Sequence, residues 1–432
     1  MMDKKIFRLA LPNIISNITV PLLGMIDIAI AGHLGSAIYI GAIALGATIF
    51  NMIYWNFGFL RMSSSGFTAQ AYGARNFSEI MNVLIRSLIV AFGLGLLILI
   101  LQVPIEKVAM SLIKSGAETK ENVGFYFRIA VWSAPAVLGV YAFNGWFIGM
   151  QNAKTPMIIA ILNNILNIVL SFTFVYVFGM KIKGIALGTM LSQVITFALT
   201  SFLWFKYYGR LRKYIILKSI FNTDALKLFF KVNSDVFIRT LMLTLVTTFF
   251  TFASSGMGDT ILAVNALLMQ FFMLFSYFMD GFAYAGEALT GRYIGAKNHL
   301  LLKYMIRRLF FWGFIVSAAS VVLYMLFPSQ ILQILTNNQE VITTAKSFIF
   351  WTILIPITGF AAFLWDGIYI GATASKEMRN AMVLSAISFF VCYYSAKSYL
   401  GNNALWLSFI IYLSVRGIIQ TLWAKKALRI KT

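Results

Sequence analysis

Four carboxylates lie inside long apolar stretches of the sequence, where charged side chains are otherwise scarce. The chain has only 14 Asp and Glu residues, and these four are Asp27, Asp280, Glu287 and Asp366. An ionised carboxylate in hydrocarbon costs at least ~2.5 kcal/mol, so such a group normally faces a cavity or a partner and binds an ion or a proton. A buried salt bridge is the alternative, for which Arg61 and Arg239 are available. The four acids are therefore candidates for proton or cation binding.

Two of these acids share a helical face with two tyrosines. Asp280 and Glu287 are seven residues apart, which is two helical turns, and Tyr277 and Tyr284 fall on the same stripe. The hydroxyls could hydrogen-bond the carboxylates, and the rings could hold an apolar or cationic compound. Packing or a position at the membrane interface is the alternative for the tyrosines. We expect this face and Asp366 to line a substrate cavity.

Asp27 follows a proline in the first apolar stretch. Pro21 cannot donate a hydrogen bond to the carbonyl of Asn17, so we predict that the helix is kinked or hinged there. A titratable carboxylate beyond a hinge could switch the helix between two shapes as it gains or loses a proton. A passive kink beside a hydrogen-bonded aspartic acid is the alternative.

Polar oxygens are concentrated in the fifth and sixth apolar stretches. Asn163, Asn164 and Asn167 lie close together, Ser171 follows one turn later, and Thr189 lies in the next stretch. Such oxygens suit Na⁺ or a proton-linked hydrogen-bond network. Plain interhelical hydrogen bonding, which contributes only ~0.6 kcal/mol per bond, is the alternative.

Motifs for other chemistries are missing from the sequence. The two histidines, His33 and His299, have no metal-binding spacing, and no HExxH motif occurs. There is no Walker-type phosphate loop, and no Ser-His-Asp arrangement can be assembled in the apolar stretches. We therefore expect no enzymatic activity, no bound metal and no cofactor apart from H⁺ or Na⁺ as a coupling ion.

The composition indicates that the chain segments carrying these residues lie in a membrane. Hydrophobic residues make up 60% of the 432 positions and charged residues 11%, against about 25% charged in soluble domains. Apolar blocks of 18 residues or more are long enough to cross ~30 Å of hydrocarbon. No alternating segments typical of a membrane β-barrel occur. The sequence predicts an all-α integral membrane protein with spans near 8–31, 39–66, 84–103, 123–149, 156–178, 184–205, 229–253, 260–290, 306–327, 344–371, 381–399 and 403–423.

The chain repeats itself at a constant offset. Gly73-Ala74-Arg75-Asn76 matches Gly295-Ala296-Lys297-Asn298, and Asn144-Gly145 matches Asp366-Gly367 with the same shift in numbering. Six spans per half is an even number, so the halves are parallel repeats, which usually place a site between two bundles. We predict a first six-helix lobe at 1–205, a basic cytoplasmic linker at 206–228 and a second six-helix lobe at 229–432. The acids are not duplicated, since position 27 maps to Phe249 and Glu287 to Ser65.

The net charge of +21 is distributed in a way that indicates membrane topology and not a surface for binding nucleic acid. Twenty-four of the 35 Lys and Arg residues fall in alternate loops and at both ends, and seven fall in the opposite loops. The positive-inside rule then places both termini in the cytoplasm. The same charges attract anionic lipid. The single Cys392 excludes an internal disulfide, and the first apolar block is expected to be a retained helix and not a signal peptide.

Several segments resemble those of the multidrug and toxic compound extrusion (MATE) transporters, most closely their DinF-like branch. They are LALPNIISNITVPLLGMIDIAIAGHLG (9–35), IYWNFGFLRMSSSGFTAQAYGARN (53–76), GDTILAVNALLMQ (258–270), YFMDGFAYAGEALTGRYIGAKN (277–298) and LWDGIYIGA (364–372). The resemblance implies two six-helix lobes around a central V-shaped cavity. It also implies efflux of drug-like, often cationic compounds driven by H⁺ or Na⁺.

The resemblance also implies roles for individual residues. Asp27 matches the first-helix aspartate whose protonation is thought to bend that helix, and Asn167 and Thr189 match polar residues grouped with it. Relatives often carry an aspartate at the position of Ser171, so its absence here weakens the case for Na⁺. The second-half acids and Arg61 fit DinF-like motifs. The acid that other branches place in the seventh helix is missing, with Arg239 nearby.

These observations predict a cation-coupled antiporter, with H⁺ preferred over Na⁺, that exports small organic compounds by alternating access. The alternative is a lipid-linked oligosaccharide flippase of related architecture, whose cavity is typically more basic; an intramembrane enzyme is disfavoured. We expect a cationic or amphipathic substrate, contact with membrane lipid and not with nucleic acid, and a monomer in a bacterial inner membrane.

Arg61 is the predicted charge partner between the halves. It maps by the repeat onto position 283, which lies between Asp280 and Glu287. We hypothesise that Arg61 pairs with one of these acids in one state of the transport cycle. Snorkelling of Arg61 to lipid headgroups is the alternative.

Overall fold

The structure is a computed structural model that describes residues 1–33, 37–113 and 115–428. Some of the predictions concern residues outside this part. These are residues 34–35 of the first quoted segment, the last residues of the second predicted lobe, and three of the basic residues counted in the charge distribution, Lys114, Arg429 and Lys431. Within it, twelve helical segments are long and apolar enough to cross a membrane. They are α1 Met2–Gly32, α2 Ile38–Gly73, α3 Phe77–Ile100, α4 Ala117–Gly149, α5 Lys154–Val177, α6 Lys181–Tyr214, α7 Thr223–Ser255, α8 Asp259–Gly295, α9 His299–Leu326, α10 Ile349–Gly371, α11 Ser375–Leu400 and α12 Asn402–Ala427.

The predicted all-α architecture with twelve spans is confirmed. Most helices extend beyond the apolar blocks that predicted them; the seventh runs from Thr223, six residues before the predicted start at 229. Polar residues at a helix end can continue the backbone hydrogen bonds outside the hydrocarbon, and hydropathy does not detect them. The tenth span begins later than predicted, because residues 344–346 belong to a separate short helix that ends at Lys346.

Several segments depart from regular transmembrane helix. α2 is interrupted at residues 57–58, α4 contains a 3₁₀ turn at Val131–Ser133, and α5 ends in a π-helical turn at Thr173–Val177. Short helices at Gln102–Leu112, Leu217–Ile220, Pro328–Leu335 and Gln339–Lys346 lie between the spans. Breaks of this kind inside spans often mark functional positions.

The internal repeat is visible in the backbone. Arg75 and Lys297, which occupy equivalent positions of the repeat, both adopt left-handed backbone angles, with φ of 56° and 54°. The next residues, Asn76 and Asn298, each cap the following helix by accepting a hydrogen bond from a backbone N–H three residues later. Because the same turn and the same cap recur at one offset, the repeat extends from sequence to local structure.

The halves also share a close helix–helix contact at a glycine. A Cβ atom at Gly145 of α4 would overlap the backbone carbonyl of Arg61 on α2. At the same offset, a Cβ at Gly367 of α10 would overlap the carbonyl of Ala283 on α8. Only glycine allows these backbones to approach so closely.

We expect Gly145→Ala and Gly367→Ala each to destabilise the protein, because the obstructing atom is backbone and cannot rotate away. Overpacking of a tight contact typically costs about 1–3 kcal/mol. Thermal unfolding of the purified variants in detergent measures the effect. Gly93→Ala on α3 is the matched control, since a Cβ there meets nothing within 4 Å. Equal melting temperatures for all three variants would contradict the prediction.

The residues form two compact units that do not coincide with the two sequence halves. The first unit is Ile15–Lys227, and the second is Met1–Ile14 together with Leu228–Thr432. Compared with the predicted lobes, the first fourteen residues group with the second half, and residues 206–227 of the predicted linker group with the first. The reason is side-chain packing: the Phe7 ring contacts Phe282 and Trp312 edge-on, at 5.7 and 4.6 Å. Helix α1 therefore contributes to both units.

Candidate functional site

Asp27 is buried in the first unit near Tyr126 of α4. Its side chain is 8% exposed, and among the described residues no hydrogen-bond partner reaches its Oδ1. Tyr126 of α4 is an electrostatic neighbour of Asp27 and hydrogen-bonds Thr189 of α6. The sequence alone does not distinguish Tyr126, which is one of 19 tyrosines and has no charged residue three or four positions away. The structure thus links two predicted site residues through a third.

The predicted polar residues of α5 and α6 lie together. The amide nitrogen of Asn167 donates a hydrogen bond of 3.1 Å to Thr189 Oγ1. Asn167 and Ser171 are both buried, and Asn167 Oδ1 and Ser171 Oγ have no hydrogen-bond partner in the part of the chain that is described. Ser171 packs directly against the backbone at Gly188, where a Cβ would come within 2.5 Å of its Oγ. This group in the first unit therefore combines the buried carboxyl group of Asp27 with several buried oxygen acceptors, a set that can accept a proton or a small cation.

Helix α5 holds α1 on both sides of Asp27. Asn164 Nδ2 donates to the carbonyl of Thr19 at 3.0 Å, and the Tyr176 hydroxyl donates to the carbonyl of Ile30 at 3.5 Å. Tyr176 lies in the π-helical turn of α5. Helix α1 is continuous through Pro21 in this structure, so the predicted hinge at Pro21 stays a prediction.

Asp366 lies in a buried ion-pair cluster of the second unit. It pairs with Arg239 of α7 and Arg416 of α12, and it accepts a 2.6 Å hydrogen bond from the Gln420 amide. All four side chains are buried. Of the two alternatives left open by the sequence, Asp366 therefore fits the buried salt bridge, with Arg239 as one partner. The sequence alone does not identify Arg416 and Gln420 as partners of Asp366, because only the packing of α12 on α10 brings them together.

The remaining second-half candidates lie along α8. Asp280 is half-buried, accepts a 3.1 Å hydrogen bond from Ser276 Oγ, and is an electrostatic neighbour of Tyr277 and Arg416. Glu287 is fully buried, and Tyr284 is half-buried. Asp280 is thus more accessible than Glu287, and its neighbouring tyrosine ring suits a cationic or aromatic group.

Comparison with known proteins identifies similar chains over nearly the full length. The MatE family model matches residues 12–173 and 236–395, once in each half. The chain is 36% identical over 432 residues to DNA damage-inducible protein F of Escherichia coli, covering 98% of this chain and 92% of that protein. It is 23% identical over 454 residues to the probable multidrug resistance protein NorM of Thermotoga maritima, covering 98% and 94%.

Solved structures share the fold. A crystal structure of MATE in the bent conformation superposes with a TM-score of 0.87 at 23% identity, covering 99% of this chain and 96% of that one. An outward-facing multidrug resistance MATE family transporter of the MOP superfamily gives a TM-score of 0.85 at 24% identity, covering 100% and 97%.

Proposed function

Because this multi-pass membrane protein belongs to the MatE family of transporters, we propose that it is a secondary antiporter that exports small organic compounds in exchange for protons. Proteins of this family are transporters and not enzymes. The names of the relatives described above give no support to the flippase alternative. We also propose that it is a monomer in a bacterial inner membrane. The distribution of basic residues supports the proposal that both termini lie in the cytoplasm.

The burial of Asp27 is the observation that carries the proposal of proton coupling. Burying an ionised carboxylate without a full set of hydrogen-bond donors is costly, so this arrangement suits a carboxyl group that carries a proton. When α1 opens the site to water, the same group can release the proton. Hydrogen bonds from α5 to α1 on both sides of Asp27 provide contacts that such a change would have to break.

The substrate is proposed to be cationic or amphipathic, with its charged group near Asp280 and Tyr277. Asp366 is proposed to have a different role from Asp280, because its carboxylate already pairs with two guanidinium groups. The pairing of Arg61 with Asp280 or Glu287 stays a prediction, for which double-mutant cycles on export are the test.

The coupling ion is tested by imposing pH and Na⁺ gradients separately on proteoliposomes loaded with tetraphenylphosphonium, a lipophilic cation. We expect a pH gradient to accelerate its transport and a Na⁺ gradient to have little effect, because Ser171 supplies a hydroxyl and no carboxylate to the α5–α6 group. Protein-free liposomes under the same gradients are the control. Strict dependence on Na⁺ without a response to pH would reverse the preference.

A further inference from the structure

Two arginines at equivalent positions of the repeat each hold the chain segment that leads into the first span of the other half. Arg86 on α3 and Arg308 on α9 are related by the same shift in numbering as Arg75 and Lys297. Arg86 contacts the linker before α7, and Arg308 contacts the start of α1. The repeat itself does not predict these contacts, because the two partners differ. Arg86 binds backbone carbonyls, and Arg308 binds a carboxylate.

The linker anchor consists of Arg86, Ser219 and Ile220, all in the first unit. Arg86 is 3% exposed; its Nε donates to the Ile220 carbonyl at 2.8 Å, and its Nη2 donates to the Ser219 carbonyl at 2.5 Å. Its Nη1 pairs with Glu79 at 2.6 Å, and Asn82 Nδ2 donates to Ser219 Oγ at 2.9 Å. The guanidinium thus fixes two consecutive carbonyls just before α7 begins at Thr223.

The N-terminal anchor consists of Asp3, Arg308 and Trp312, all in the second unit. Arg308 donates from Nε and Nη2 to the two oxygens of Asp3, both at 2.8 Å, which is the bidentate geometry that fixes orientation as well as distance. Trp312 Nε1 adds a bond of 2.9 Å to Asp3 Oδ1. The ring of Phe7 packs on Trp312 one turn further along α1.

Helix α1 connects this anchor to Asp27. Its residues up to Ile14 belong to the second unit and the rest, including Asp27, to the first. We propose that Asp3 and Arg308 are positioning residues: they fix the start of α1, so that a change in this helix on proton binding at Asp27 is transmitted to the second unit. The linker anchor likewise fixes the segment that leads into α7. This inference rests on the proposed function, in which Asp27 binds the coupling proton.

Transport measurements on variants of each partner test the proposal. Arg308→Gln and Asp3→Asn are each expected to lower pH-gradient-driven export of tetraphenylphosphonium about tenfold, since two charge-assisted hydrogen bonds are lost. Counterflow of the same compound without a gradient, and its KM, should stay near wild type. The charge exchange Asp3→Arg with Arg308→Asp should recover most of the rate. Arg307→Gln, at an exposed neighbouring position on α9, is the matched control and should behave as wild type.

Hydrogen–deuterium exchange provides a readout that does not depend on transport. We expect Arg308→Gln to raise exchange at residues 3–12, and Arg86→Lys to raise exchange at residues 219–226, relative to Arg307→Gln. Three results would each overturn the proposal. They are unchanged exchange in Arg308→Gln, full gradient-driven export by both Arg308→Gln and Asp3→Asn, and a loss of counterflow in these variants equal to their loss of export. Wild-type protein that shows no proton-driven export would instead count against the proposed function, and the exchange data would still decide whether the anchors exist.

Discussion

Asp27→Asn is expected to abolish proton-driven export while the protein still folds and inserts. Asparagine has nearly the same shape and remains neutral at every pH, so it can occupy the buried site but cannot take up or release a proton. Asp27 is also the only acid among the apolar spans of the first half, so no neighbouring carboxylate in those spans can substitute for it. Export of tetraphenylphosphonium under an imposed pH gradient should fall to the level of protein-free liposomes.

Two comparisons make this prediction specific to proton exchange. Asp224→Asn, at an exposed position in the first turn of α7, removes the same charge and should export normally. Counterflow without a gradient should persist in Asp27→Asn, because it does not require net proton movement. If Asp27→Asn exported under a pH gradient as well as wild type, Asp27 would not be the coupling acid.

Asp366→Ala is expected to cause a large loss of stability in the second unit. Removing this carboxylate strands the guanidinium groups of Arg239 and Arg416 in a buried environment, and leaves the Gln420 amide without its acceptor. Breaking a buried ion pair by removing one partner typically costs about 3–5 kcal/mol. We expect a lower melting temperature in detergent and reduced accumulation in the membrane. Asp259→Ala, at an exposed position in the first turn of α8, is the control and should be neutral.

A variant that removes all three charges separates the cost of stranded charge from the loss of a contact. Asp366→Leu combined with Arg239→Met and Arg416→Met should recover much of the stability lost in Asp366→Ala, because an apolar core can replace a buried ion-pair cluster at little cost. If the triple variant is as unstable as Asp366→Ala, the packing around the cluster matters more than its charge.

The sequence alone determined the elements and their order. Hydropathy and block length specified twelve spans, because a helix in lipid must satisfy its own backbone and needs about 20 apolar residues to cross. The constant offset between matching segments predicted the duplicated architecture, and the turns at Arg75 and Lys297 show that it extends to single backbone angles. The sequence also identified four candidate residues for cation or proton binding, because polar side chains are rare in apolar spans: Asp27, Asn167, Ser171 and Thr189. These are local properties, which a single chain segment carries by itself.

Only the tertiary structure decided which of these residues meet. Asp366 pairs with side chains 127 and 50 residues away, and Tyr126 reaches Asp27 and Thr189 from α4. Such pairings depend on the register between helices. Close contacts, such as that of Gly367 with the backbone of Ala283, fix this register, and the residue periodicity within a single helix does not encode it. The division into units was decided in the same way. Residues 1–14 belong to the second unit because Asp3 hydrogen-bonds Arg308 of α9 and Phe7 packs on Trp312 of the same helix. The hydropathy of the first apolar stretch does not indicate which unit these residues join.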